Sequence, residues 1–76
     1  MKGVVLIKIL PGKEHIVLSR IREIFGVTEV EVVFGRWDLV IKVSANDPKA
    51  LSDAVIKRIR SIEGIENTER LISTDL

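Results

Sequence analysis

The apolar residues of this chain switch period in a fixed order: two residues, three to four, two, two, three to four, two. A period of two is that of a strand with one buried face, and a period near 3.6 is that of a helix lying on a sheet. In the first segment, about Lys2 to Leu10, Val5, Ile7 and Ile9 share one face while Val4, Leu6 and Lys8 share the other. Pro11-Gly12 ends it, since Pro cannot donate to a ladder and Gly permits a sharp exit. A helix is expected from about Lys13 to Phe25, with Val17, Ile21 and Ile24 on its apolar stripe and Gly26 at its C-terminal cap.

Two strands follow in close succession. From Thr28 to Phe34, Val30, Val32 and Phe34 alternate with Glu29, Glu31 and Val33. From Trp37 to Ser44, Leu39, Ile41 and Val43 point inward, and Asp38, Val40 and Lys42 outward. A two-residue Gly35-Arg36 turn is expected between them, because Gly at the first position is a hairpin signal. Asp47-Pro48 then opens a second helix with an N-cap carboxylate and Pro at the first helical position. Its stripe is Leu51, Val55, Ile59 and Ile62, and Gly64 ends it. A last strand covers about Asn67 to Ser73.

The order βαββαβ specifies an α+β fold of the ferredoxin-like kind, one domain over residues 1–76. Right-handed crossovers put both helices on one face of a four-stranded antiparallel sheet. Val4, Leu6, Val33 and Val40 lie on the opposite face, which is more apolar than a solvated surface requires. A second copy stacked sheet to sheet would bury them, as in dimeric α/β barrels. A chain this short also has the most to gain from association, because it buries only about 60% of its unfolded surface on its own. It holds no Cys with which to staple itself.

Composition excludes several function classes. Twelve basic against eleven acidic residues, interspersed, create no strong field for nucleic acid or membrane. No apolar run is long enough to span a bilayer and no signal peptide is recognisable, so a cytoplasmic protein is expected. One His and no Cys leave no metal-ligand spacing and no thiol nucleophile, and no cofactor is expected. Lack of Gln and Cys with abundant Lys, Arg, Glu and Ile points toward a thermophile.

The residues best suited to hold a small molecule are Gly35, Arg36, Trp37 and Asp38. A small zwitterion presents an ammonium, a carboxylate and a body that joins them. Asp38 can pair with the first, backbone N–H groups at Gly35 with the second, and Trp37 can wall the third. Arg36 or Arg70 can clamp a carboxylate, and Thr68 can donate or accept. Plainer roles also fit: a positive φ at Gly35, a turn cap or a Lys42 ion pair for Asp38, an interface contact for Trp37, an interfacial ion pair for Arg70.

Leu10-Pro11-Gly12, Gly35-Arg36-Trp37-Asp38-Leu39-Val40 and Glu63-Gly64-Ile65-Glu66-Asn67-Thr68, in this order and on this topology, resemble the RAM domain. That domain is the effector-binding module of the Lrp/AsnC transcriptional regulators. The resemblance covers nearly the whole chain. It implies a non-enzymatic amino-acid sensor with Gly35, Arg36, Trp37 and Asp38 in the effector loop and Thr68 on the facing strand. It further implies sheet-stacked homodimers that assemble into octamers or larger rings, with a free amino acid as effector between dimers.

Full-length members carry an N-terminal helix-turn-helix domain that this sequence lacks, so the resemblance is to the stand-alone members. These are expected to make no direct DNA contact and to co-assemble with DNA-binding paralogues. One departure is Arg70, where the family often repeats Thr. Two other classes stay open at this stage: a module serving assembly alone, and a small dimeric α/β-barrel enzyme with its cleft between sheet and helices.

Overall fold

The computed structural model describes residues 1–72; Ser73, expected to close the last strand, lies outside them. The elements are β1 (Lys2–Ile9), α1 (Glu14–Arg22), β2 (Val27–Val32), β3 (Leu39–Ser44), a second helix over 48–60, and β4 (Ile65–Ile72). The strands form one antiparallel sheet in the order β2-β3-β1-β4. The expected ferredoxin-like α+β fold is therefore observed.

Alternation in the strands decides what is buried. Val5, Ile7 and Ile9 from β1 and Leu39, Ile41 and Val43 from β3 form one cluster with Val17 and Ile21 of α1. Leu51, Val55, Ile56 and Ile59 of the second helix complete it. All of these are at most 6% exposed, and burying each contributes about 1.5–3 kcal/mol before the entropy of ordering is subtracted. No polar side chain is buried in this core among the described residues.

Four local expectations need correction. First, α1 ends at Arg22 rather than near Phe25: the Glu23 and Ile24 N–H groups bond back to Arg20 and Ile21 at i−3 spacing, which tightens the chain into a turn. Ile24, expected on the stripe, and Phe25 thereby fall beyond the helix, and Phe25 is 95% exposed. Gly26 follows at φ 103°, and a Cβ there would meet Val55 Cγ2 at 2.5 Å. Glycine is demanded twice over, by conformation and by the close approach of the second helix.

Second, the helix over 48–60 is not uniform. Asp47 caps it as expected, its carboxylate accepting the Ala50 N–H at 2.7 Å. Pro48–Ala50 and Lys57–Arg60 are α-helical, but Leu51–Ile56 winds at π spacing, with the Lys57 N–H reaching Ser52 O five residues back. The wider turn brings Ile56 into the core beside Leu51 and Val55.

Third, β2 stops at Val32, which is 65% exposed at the strand's end, and Phe34 lies in the loop beyond it, fully exposed. Fourth, the two ends of the hairpin are joined by a longer loop, described next. The face opposite the helices is uncovered, and there Val4, Leu6, Val33 and Val40 are half-buried while Leu71 is exposed.

Candidate functional site

β2 and β3 splay apart after Val32 and before Leu39. The Val33 N–H donates to Asp38 O at 3.0 Å, which leaves Phe34, Gly35, Arg36 and Trp37 as a four-residue tip. The two-residue Gly35-Arg36 turn expected from the sequence is replaced by this loop, because Phe34 and Trp37 both leave the ladder. Gly35 has φ 129° and nothing within 4 Å of where a Cβ would stand, so its requirement is purely conformational.

Asp38 sits where the loop rejoins the sheet. Its N–H donates to Ile7 O at 2.9 Å. The last paired residues of β1 and β3 are Ile7 and Leu39, so the Ile9 N–H has no β3 carbonyl to reach. Asp38 Oδ2 accepts that N–H at 2.8 Å, and Oδ1 faces Lys8 Nζ at 3.5 Å. Neither Lys42 nor a turn cap is its partner; Lys42 pairs with Glu29 at 3.1 Å instead. Both carboxylate oxygens of Asp38 thus have partners within the chain.

Arg36 and Trp37 line a cleft of about 210 Å³ together with Lys8, Glu66 and Asn67. Lys8 and Asn67 oppose each other across the β1–β4 ladder, so both project from the uncovered face. Glu66 arrives there by a different route. Lys8 pairs with Asn67 and Ile9 with Ile65, which leaves Glu66 as the extra residue of a bulge. A bulge breaks alternation and re-aims the side chain it carries. Among the described residues neither Arg36 nor Glu66 has an ion-pair partner within 4.0 Å, so the cleft holds one uncommitted charge of each sign.

The remaining expected residues lie elsewhere in the protomer. Thr68 opposes Ile7, which places its side chain on the helix-covered side, and its N–H is taken by Asn67 Oδ1 at 2.9 Å. Arg70 opposes Val5 and lines a hollow of about 180 Å³ against the second helix, with Met1, Pro48, Leu51, Ser52, Ile56 and Ile72. Within one chain, then, Arg36, Trp37 and Asp38 come together at one end of the sheet, and Thr68 and Arg70 are on its other side. Lys8, Glu66 and Asn67 were not singled out in the sequence. Lys8 was legible as an outward residue of β1, but Glu66 carried no signal because only the bulge turns it into the cleft.

Electrostatically the site is balanced and open to solvent. The Lys8–Asp38 pair is about one-third exposed on each side, so its own contribution to stability is small, about 1 kcal/mol at most. The hydrogen bond from Ile9 is part-buried and accounts for more of Asp38's structural role. No helix among the described residues is long and apolar enough to cross a membrane.

Known proteins place this arrangement in context. Residues 2–75 match the Lrp/AsnC ligand binding domain family. An uncharacterized HTH-type transcriptional regulator of Pyrococcus abyssi is 37% identical over 59 residues, 78% of this chain and 39% of that protein. The chain therefore spans about two-fifths of the length of the curated relative it matches. A crystal structure from Thermus thermophilus superposes with a TM-score of 0.88 at 35% identity, covering 99% of this chain and 94% of the other. The structure of Escherichia coli AsnC superposes at 0.82 and 27% identity, covering 99% of this chain and 52% of the other.

Proposed function

This chain belongs to the family of Lrp/AsnC ligand-binding domains, and from that premise we propose that it is a sensor that binds a free amino acid beside the Phe34–Trp37 loop. It acts by binding and not by chemistry. The observation that carries this reading is the cleft at the loop: an aromatic wall, an uncommitted cation and an uncommitted carboxylate within one amino-acid-sized space. The absence of any buried polar side chain between sheet and helices among the described residues supports a non-enzymatic role, since an α/β-barrel enzyme keeps its reactive groups there.

The uncovered sheet face supports association. Val4, Leu6 and Val40 occupy its centre, with Leu71 exposed beside them, and Glu29, Glu31, Lys42 and Glu69 around them. An apolar centre with a charged rim is the anatomy of a protein interface. We take the partner to be a second copy, and the dimers to assemble into a ring in which Thr68 and Arg70 of one dimer face the loop of another. Family members that carry DNA-binding domains are the heterologous partners this reading implies.

One observation favours a second reading. With both oxygens of Asp38 held internally, the loop is equally suited to stabilise an assembly that binds nothing. Isothermal calorimetry with the twenty standard amino acids in small pools separates the two. Saturable heat at a defined stoichiometry is expected. Silence in every pool, from a protein that still assembles, would leave the assembly module as the function.

A further inference from the structure

The geometry points to a specific polarity of binding: the ligand's ammonium sits on Glu66 and its carboxylate on Arg36, while Asp38 stays bound to Ile9 and Lys8. This rests on the amino-acid reading above and names which groups perform it. Asp38, the residue whose charge first suggests an ammonium acceptor, is the wrong one on energetic grounds. To receive an ammonium it must surrender Lys8, and any reorientation strips the part-buried Ile9 N–H of its acceptor. Glu66 has no such commitment, and its side chain reaches the cleft because the β4 bulge turns it there.

Arg36 is the matching cation. It stands at the loop tip, without an ion-pair partner among the described residues, and its planar fork suits a carboxylate through two parallel hydrogen bonds. Lys8, the other cation of the cleft, is already neutralised by Asp38. Arg36 and Glu66 share the cleft yet lie farther apart than an ion pair. A zwitterion carries a group for each of the two charges, whereas a simple amine or a simple carboxylate satisfies only one side. Trp37 is left to contact the α-substituent.

The test uses the intact protein, titrated calorimetrically with each of the twenty standard amino acids, and then the best binder against three variants. Glu66→Gln and Arg36→Gln, both at exposed positions, should each weaken binding about tenfold or more, the loss of one charge-assisted hydrogen bond. Asp38→Asn keeps an oxygen for Ile9 and should hold affinity within about threefold, a change under 1 kcal/mol. Wild-type affinity in Glu66→Gln, or abolished binding in a folded Asp38→Asn, would overturn the assignment while leaving the sensor intact. No binding by the wild type would overturn the sensor reading and this polarity with it.

Discussion

Asp38 and Ile9, 29 residues apart in the chain, are joined by a hydrogen bond of 2.8 Å from the Ile9 N–H to the Asp38 carboxylate. The bond replaces a ladder contact that disappears when the hairpin loop leaves the sheet. It makes Asp38 a structural clamp at the rim of the cleft, and the stability and ligand affinity of this protein should respond to different residues as a result.

Asp38→Ala should destabilise the fold by about 1–3 kcal/mol, because it orphans a part-buried N–H. Asp38→Asn should recover most of that loss. Urea unfolding followed by circular dichroism reads both, and equal stability of wild type and Asp38→Ala would show that water satisfies Ile9 as well as the carboxylate does.

Lys8→Met should cost less than about 1 kcal/mol, since the pair it breaks is exposed to solvent. The difference from wild type should shrink further in 1 M salt, where the Debye length falls to about 3 Å. A loss of several kcal/mol would mean that Lys8 does more than face Asp38.

Gly35 and Gly26, two of the positive-φ glycines, should separate conformation from contact. Gly35→Ala meets open space and should cost only the backbone strain, about 1–3 kcal/mol. Gly26→Ala adds a 2.5 Å clash with Val55 to the same strain and should be clearly the more damaging in a thermal melt. The reverse order would contradict the placement of the second helix over Gly26.

Leu6→Glu places a carboxylate in the middle of the uncovered face, opposite Val40 and next to Glu69. Sedimentation velocity should show the wild type as a dimer or larger and the variant as a folded monomer. An unchanged sedimentation coefficient would locate the interface elsewhere.

How much of this was legible beforehand depends on the range of the interaction involved. The βαββαβ order, the buried faces of β1 and β3, the stripe of α1 and the Asp47-Pro48 helix start are all written in residues a few positions apart. Local sterics, capping and period act over those same few positions, so the amino-acid order determines them directly. The loop candidates Gly35, Arg36, Trp37 and Asp38 were legible as candidates for the same reason, because they are contiguous.

What the tertiary structure alone settled concerns pairs far apart in the chain. Asp38 found Lys8 and Ile9 rather than Lys42, because strand register brings β1's end against the start of β3. Glu66 entered the cleft, and Thr68 stayed on the other side, because one extra residue in β4 interrupts alternation opposite Lys8 and Ile9. The π turn over Leu51–Ile56 belongs with these, its apolar residues meeting a core assembled from all the other elements. Register, bulges and such packing adjustments minimise the free energy of the whole sheet and core at once, so no short stretch of sequence contains them.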